Sequence, residues 1–387
     1  MARAPVYSIW ILSLSLLAAC TSQPRDASGQ DRPSLAGRDD WKTDFGKHTV
    51  PLEEFASGGP PKDGIRSIDR PSFVSVREAD RWLEDREPVA VVKVSEEVKA
   101  YPLSILIWHE IVNDEIGGLP VTVTFCPLCN TTIAFDRNFD GQVLEFGTTG
   151  QLRHSDLVMY DRQTETWWQQ ATGEGLVGEY AGEQLTFVPA TVMSWRDVKE
   201  QRPSARVLSR DTGFPRDVTQ RYGTNPYQGY DRGSGPWRRF FRFGRKDGRL
   251  KAMERVVALE HDDEYLAVPF SILAVERVVD VRVGGLDVVV FWAPGTASAV
   301  DNSTIADGRD VGSSSAFSPE FGGRRLTFEP AGNGRFRDRE TRSTWNLSGR
   351  AIAGELAGAQ LTEIVHGNHF WFSWAVFRPD TEIWRGR

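Results

Sequence analysis

Hydrophobic residues along this chain group into short runs that have the composition of β-strands. The runs VTVTF (121–125) and DVVVFW (287–292) are rich in β-branched and aromatic residues, and each comes shortly after a Gly-Gly turn. Helical periodicity is confined to short pieces near 102–112 and 190–201. The pattern therefore predicts a mostly β fold, of the β-rich α+β class, with a few short helices.

An internal repeat arranges these runs in two halves. Residues 87–129 align without a gap on residues 254–296, with fifteen of 43 positions identical at a constant offset of 167. A second block that begins at Asp161 aligns on one that begins at Asp338, with one residue slipped. We therefore predict two tandem, pseudo-equivalent β units.

The first twenty residues have the features of a bacterial lipoprotein signal. Arg3 precedes an apolar stretch, 6–19, of about fourteen residues, which is too short to span a bilayer as a helix and ends in Leu-Ala-Ala-Cys. Cleavage before Cys20 would make this residue the lipidated start of the mature protein, and its acyl chains would anchor the protein to a membrane. We expect an extracytoplasmic, lipid-anchored protein of the cell envelope, in the outer membrane or periplasm if the source is Gram-negative.

The predicted domain map follows from the signal, the repeat and changes in composition. A polar stretch after the signal predicts a flexible tether, and a Pro-, Gly- and Tyr-rich stretch separates the halves. The parts are the signal peptide 1–20, the tether 21–65, the first unit 66–215, the connecting segment 216–250 and the second unit 251–387.

Replacing Cys20 by serine is expected to move the protein from the membrane fraction to the soluble fraction, because serine cannot carry the thioether-linked lipid. Cell fractionation followed by immunoblotting measures this distribution. Unchanged membrane association of the variant would contradict the lipoprotein hypothesis.

The repeat provides an internal control that separates residues needed for the fold from candidates for function. Cys126 and Cys129, in the segment TFCPLCNT, align with Ala293 and Thr296, so the second half forms the same strand end without sulfur. Outside the cytoplasm, disulfides persist. Three interpretations remain open for this C-P-L-C segment: a disulfide across a four-residue loop, a redox pair or a pair of metal ligands.

Histidines that occur in one half only favour the metal interpretation. His109 aligns with Glu276, and His366 and His369 align with Ala190 and Met193. Thiolates and imidazoles together suit zinc or copper(I). We predict a zinc or copper site built from Cys126, Cys129 and His109 first. His366 and His369 form the second choice, since they can join only if the two halves meet near the cysteines.

Composition excludes some functions and leaves enzymatic activity undecided. The net charge of -7 gives no reason to expect nucleic acid as a partner, and the chain has no P-loop, no G-x-G-x-x-G that opens a helix and no G-x-S-x-G motif. The alternative to a metal or thiol site is a non-catalytic binding module of the cell envelope with a structural disulfide. In that module Trp108, Trp167 and Trp374 would contact a glycan or a protein.

Several motifs resemble the bacterial and archaeal domain-of-unknown-function family 3179. They are AYPLSILIWHEIVND, TFCPLCNT, SDLVMYDRQTETWWQ, LSRDTG and NHFWFSWAVFRPDTEIW, in this order, and the match runs from about Pro88 to Trp384. The resemblance implies a secreted or envelope protein and supplies no activity. His154 departs from the family pattern, in which an asparagine is expected at this position.

Overall fold

Residues 40–241 and 243–386 are described by a computed structural model of the chain, and they fold mainly into short β-strands. The prediction of a mostly β fold with short helices is confirmed. The elements of the first half are β1 (Phe55–Ser57), β2 (Phe73–Ser75), α1 (Val76–Ala79), β3 (Pro88–Val94), β4 (Glu97–Pro102), α2 (Leu103–His109), β5 (Ile111–Ile116), β6 (Leu119–Cys126), β7 (Thr131–Asp136), β8 (Asn138–Phe139), β9 (Gln142–Val143), β10 (Phe146–Arg153), β11 (Asp156–Asp161), β12 (Trp167–Gln169), β13 (Gly175–Val177), β14 (Phe187–Val188), β15 (Ala190–Ser194), α3 (Trp195–Gln201), β16 (Arg206–Leu208) and α4 (Arg216–Thr219).

The second half has a similar order of elements. They are β17 (Arg255–His261), β18 (Glu264–Pro269), α5 (Phe270–Glu276), β19 (Val278–Val283), β20 (Leu286–Ala293), β21 (Ser313–Phe317), β22 (Glu320–Phe321), β23 (Arg324–Arg325), β24 (Phe328–Pro330), β25 (Phe336–Asp338), β26 (Thr344–Trp345), β27 (Ala351–Ala353), β28 (Gly367–Phe370), α6 (Trp371–Phe377) and β29 (Glu382–Ile383). Short 3-10 turns occur at Leu52–Glu54, Tyr230–Arg232 and Ile305–Asp307.

Each half builds three main sheets. In the first half the strand orders are β15-β3-β4-β16-β2, β14-β7-β6-β5 and β1-β10-β11-β12-β13. In the second half they are β28-β17-β18-β29, β19-β20-β21 and β24-β25-β26-β27. Neighbouring strands are antiparallel except for the pairs β4–β16 and β18–β29, which are parallel. Strands that follow each other along the chain therefore mostly pair as hairpins.

Element bounds in the two halves correspond closely. The run from β3 to β6, including α2, recurs as β17 to β20 with α5, and every bound is shifted by 167 residues. A buried tryptophan bond recurs as well: Trp168 Nε1 donates to Asp161 Oδ2 at 2.9 Å, and Trp345 Nε1 donates to Asp338 Oδ2 at 2.9 Å. The described residues lie in one compact body, and the division into two units at the predicted boundaries stays a prediction.

The two halves contact each other through reciprocal strands. β28 of the second half packs beside β7 of the first, and β15 of the first packs beside β21 of the second. The Phe370 N–H donates to the Cys129 carbonyl at 2.9 Å, which ties the start of α6 to the C-P-L-C turn. The region of the C-terminal histidines and the region of the cysteines therefore meet.

The N-terminal expectations fall partly outside the described residues. The signal peptide and Cys20 lie there, as does the first part of the predicted tether. Its later part belongs to the folded body, because β1 pairs with β10 and Phe55 packs against Trp167 with ring centroids 5.2 Å apart. None of the helices in the described part of the chain has the length and apolar content needed to cross a bilayer.

Candidate metal site

The C-P-L-C segment forms the turn between β6 and β7. Cys126 is the last residue of β6 and pairs with Thr131, the first residue of β7. The turn is tight, because the Cys129 N–H donates to the Cys126 carbonyl at 3.2 Å and Asn130 adopts a φ of 56°. Asparagine is one of the few residues that tolerate this left-handed conformation. The turn places both cysteine side chains in the core, with Cys126 2% and Cys129 0% exposed.

A second hairpin brings Asp156 to the cysteines. β10 ends at Arg153 and β11 begins at Asp156, so His154 and Ser155 form a two-residue turn with φ values of 54° and 73°. Turns of this kind favour asparagine and glycine, which gives a physical reason for the asparagine expected at position 154. Histidine also tolerates positive φ. The Ser155 carbonyl oxygen lies 3.8 Å from Cys126 Sγ, so the turn borders the cysteines.

Cys126, Cys129 and Asp156 form a buried cluster whose ligand atoms all lie within 4.8 Å of one another. Asp156 Oδ2 accepts hydrogen bonds from Gln169 Nε2 at 2.6 Å and from the Ala171 N–H at 2.9 Å. Its Oδ1 is buried and accepts no hydrogen bond from a nitrogen or oxygen donor of the described residues; the two thiols are its polar neighbours. This oxygen is available to a cation held by the sulfurs.

Glu110 adds a second carboxyl group to this region. It follows α2, and its φ of 59° ends the helix, while its N–H donates to the Leu106 carbonyl. Burial raises the pKa of Glu110 to about 8, and the charge of Asp156 contributes to the shift. Burial also raises the pKa of Asp156 to about 6, although its hydrogen bonds oppose the shift. The two carboxyl groups are close enough to disfavour simultaneous ionisation.

Both thiols are held in their protonated form by the same environment. Burial raises the pKa of Cys126, and it raises the pKa of Cys129 well above its usual value of 9.0. Among the described residues, no lysine, arginine or histidine forms an ion pair with Glu110 or Asp156. The site therefore gathers four acidic groups in the core without a protein cation to balance them.

The two cysteines are free thiols. The structural disulfide of the alternative hypothesis is not present, so the prediction of a disulfide between Cys126 and Cys129 is wrong. A bridge is not needed to close this turn, because the backbone hydrogen bonds of the β6–β7 hairpin already hold its ends together.

His109 lies outside the cluster. Its Nδ1 is 2.7 Å from the Arg66 carbonyl oxygen, which can only accept, so Nδ1 carries the proton and donates. Its Nε2 therefore accepts from the Tyr222 hydroxyl at 2.6 Å. Burial lowers the pKa of His109, in keeping with this neutral form. Both ring nitrogens have partners, and the structure does not bring His109 to the cysteines.

His366 and His369 line a neighbouring pocket of about 400 Å³. His369 Nδ1 lies 2.8 Å from Thr131 Oγ1, directly beside the C-P-L-C turn, and burial lowers the pKa of His369 to about 3. His366 Nε2 is buried without a hydrogen-bond partner in the described residues. Ala171, which donates to Asp156, also lines this pocket. The C-terminal histidines thus adjoin the cluster without joining it.

The aromatic residues of the alternative hypothesis do not form a common surface. Trp167 is 1% exposed and packs edge-on against Trp41. Trp374 is 5% exposed and lines the histidine pocket. Trp108 is half-buried and donates to the Thr224 carbonyl at 3.2 Å. Most of their area is used in packing within the protein.

The connecting segment contributes aromatic side chains to the core that contains the cysteine cluster. Tyr230, Phe240 and Phe241 belong to the same hydrophobic core as Cys126 and Cys129. Burial raises the pKa of Tyr230, and the nearby thiols add to the shift. Because the cysteines are buried in this core, bulk water is excluded and the electrostatic interactions around the thiols are strengthened.

Asp156 and Glu110 are the members of the site that sequence reasoning missed. The repeat contained a signal for both, because Glu110 aligns with Arg277 and, when the second block is extended backwards, Asp156 aligns with Asn333. Both carboxyl groups therefore occur in the cysteine-bearing half alone. The comparison of the halves pointed to them as it pointed to the cysteines.

A family model described as "Protein of unknown function (DUF3179)" matches residues 62–381, which is most of the chain. No curated protein and no solved structure matches the chain. The family match covers the cysteine turn, both carboxyl groups and all three candidate histidines.

Proposed function

This chain belongs to the DUF3179 family of proteins of unknown function, and we propose that it binds one zinc ion through Cys126, Cys129 and Asp156. The main support is the close approach of two thiols and a carboxyl group in the core, with no protein cation paired to them. Buried charges are costly unless they are paired or coordinate a metal. A divalent cation would balance the thiolates and occupy the free side of Asp156 Oδ1.

The dimensions of the cluster suit a tetrahedral ion after a small contraction. Zinc binds thiolate sulfur at about 2.3 Å and carboxylate oxygen at about 2.0–2.2 Å, so tetrahedral ligand atoms lie roughly 4 Å apart. The three ligand atoms already lie within 4.8 Å of one another. Three protein ligands leave one tetrahedral position for water or a small ligand, the arrangement typical of zinc sites that interact with substrates.

Zinc fits this ligand set better than copper(I) does. Copper(I) favours sulfur ligands, whereas zinc also accepts a carboxylate. Charge favours zinc as well, because two thiolates and a carboxylate carry three negative charges and the divalent ion leaves the smaller excess. A smaller net charge costs less in a site that is fully buried.

Thiol redox chemistry has less support. A reactive cysteine needs a lowered pKa and an electropositive, partly exposed environment. Here burial raises the pKa of both thiols, and their neighbours Asp156 and Glu110 are acidic. The C-P-L-C turn also joins two strands, not a strand and a helix as in thioredoxin-like motifs.

We further propose that this zinc site works outside the cytoplasm on a membrane-anchored protein. The support is the lipoprotein-like signal that ends at Cys20. The net charge of -7 supports no interaction with nucleic acid. The folded body would then be tethered to a membrane surface through Cys20.

Zinc analysis of the untagged mature protein tests the proposal. Protein that is reduced, loaded with zinc and dialysed is expected to retain about one zinc ion per chain, as three protein ligands with two thiolates should hold it firmly. Its affinity is expected to fall from about pH 8 to about pH 6, because the thiols must lose their protons to bind. Elemental analysis and competition with a chromophoric zinc chelator measure both quantities. Retention of copper(I) in preference to zinc, or of neither ion, would contradict the proposal.

A further inference from the structure

The second half holds the counterpart of the cysteine cluster as a pocket of about 600 Å³. Its lining includes Ala293, which aligns with Cys126, and Asn333, which aligns with Asp156. Arg277, which also lines the pocket, aligns with Glu110. Each of these two residues directly follows a helix and has a positive φ, 66° for Arg277 and 59° for Glu110. The backbone frame is therefore shared, while the side chains that would bind a metal are replaced.

The two sites also differ in how they are covered. In the first half Phe372 of α6 and aromatic residues of the connecting segment belong to the same buried core as the cysteines. The residue of α3 that corresponds to Phe372 is Arg196, which is exposed. Arg335, in the loop between β24 and β25, is exposed at the same pocket. The second-half pocket is thus open to solvent and bordered by guanidinium groups.

The charge of this pocket is also reversed. Arg196, Arg277 and Arg335 line it, and none of the three forms an ion pair with a described residue. Asp197 also lines the pocket, but its carboxylate already accepts hydrogen bonds from Ser194 Oγ, at the start of α3, and from Gln201 Nε2. Glu200 is the other acid there. Three arginines without ion pairs in one pocket are notable because the whole chain carries a net charge of -7.

Two buried donors at the pocket have no partner. Arg277 lies over the ring of Trp292, with its guanidinium carbon 4.4 Å from the ring centroid. Arg277 Nη1 and Trp292 Nε1 are both buried and neither has a hydrogen-bond acceptor among the described residues. Trp292 is only 6% exposed. A buried donor without a protein acceptor is stabilised when water or a ligand supplies one, and the pocket gives a ligand access to this position.

We propose that this pocket binds a small organic anion, in which a phosphate or carboxylate group is joined to a compact apolar body. Arginine guanidinium groups bind such oxyanions through charge-assisted, often bidentate hydrogen bonds. The apolar body packs on Pro294 and Pro330, which line the pocket. A volume of about 600 Å³ suits a ligand of this size. The duplicated fold then carries a metal site in one half and an anion site in the other.

Calorimetric titration with phenyl phosphate tests this proposal in the presence of a chelator, so that bound zinc cannot contribute. Wild-type protein is expected to bind about one molecule per chain, to bind inorganic phosphate more weakly and to bind phenol not at all. Arg277→Gln and Arg335→Gln are each expected to weaken phenyl phosphate binding about tenfold, since each removes a charge-assisted contact.

Arg282→Gln is the matched control, because Arg282 lies exposed on β19, close to Arg277 in the chain but outside the pocket lining. It is expected to leave phenyl phosphate binding unchanged. Equal weakening by all three variants would show a general charge effect and overturn the proposal. The absence of phenyl phosphate binding at millimolar concentration would also overturn it, as would binding that neither pocket variant weakens. Arg335 lies on an exposed loop, so its variant stays informative even if Arg277→Gln impairs folding.

Discussion

Replacing Cys126 by alanine and Cys129 by threonine is expected to leave a folded protein that no longer holds zinc. Ala293 and Thr296 already serve at the equivalent strand end of the second half. The Ser373 side chain, which lies beside the Cys129 sulfur, offers a partner to the new hydroxyl. We expect a loss of about 1–3 kcal/mol in the free energy of unfolding of the metal-free protein. Zinc affinity should fall by more than about a thousandfold, because both thiolate ligands are lost.

His109→Gln provides the control for this experiment. His109 is buried and present in the cysteine-bearing half only, yet its ring nitrogens bond to Arg66 and Tyr222. Its variant is expected to cost stability and to keep its zinc affinity within about twofold, since no ligand is lost. Urea unfolding without metal and competition with a zinc chelator measure the two quantities. Zinc binding by the double cysteine variant would place the site elsewhere, and loss of zinc from His109→Gln would make His109 a ligand.

Much of the fold could be predicted from local pattern. The Gly-Gly turns before VTVTF and DVVVFW predict hairpins, and β5–β6 and β19–β20 are hairpins with those glycines in the turn. The two halves share the bounds of these elements because the same local preferences occur at the same spacing. The pairing of β28 with β17, and the packing of β28 against β7 in the other half, could not be predicted, because such long-range contacts leave no local signal.

Part of the candidate site could be identified from the sequence. The cysteines were found because they lack counterparts in the second half, and the same comparison singles out Glu110 and Asp156. The three candidate histidines also lack a histidine at the aligned position of the other half, but a residue found in one half only need not point toward the cysteines. His109 is directed at Arg66 and Tyr222, a choice set by the end of α2 and the position of the connecting segment. Side-chain direction depends on tertiary packing, and the repeat contains no information about it.

The metal-free protein is expected to become less stable as the pH rises, and Glu110→Gln is expected to reduce this loss. The pKa of Glu110 is about 8 in the folded protein and 4.5 without the effects of burial. The pKa of Asp156 is likewise raised, from 3.8 to about 6. At pH values between the unperturbed pKa and the raised pKa of each group, the folded state keeps a proton that the unfolded chain has released. The free energy of unfolding therefore falls with rising pH through this window.

The effect should be large for a single carboxyl group. One pKa unit corresponds to about 1.4 kcal/mol, so Glu110 alone is expected to cost roughly 3–5 kcal/mol between about pH 4 and about pH 8. Urea unfolding at several pH values, with a chelator present, measures this. Glu115→Gln is the matched control, because Glu115 is exposed on β5 and its variant should keep the full dependence. An unchanged pH dependence in Glu110→Gln would mean that Glu110 is ionised at little cost, contrary to its burial.

Zinc should reverse the sign of this dependence. Bound zinc replaces the protons of the thiols and of Asp156, so the affinity for zinc rises with pH. A ligand that binds only the folded state adds stability in proportion to the logarithm of its concentration over its dissociation constant. Zinc-saturated wild-type protein should therefore gain stability with rising pH over the range in which metal-free protein loses it. If both forms follow the same trend, the acidic groups of this cluster are not the groups that bind the metal.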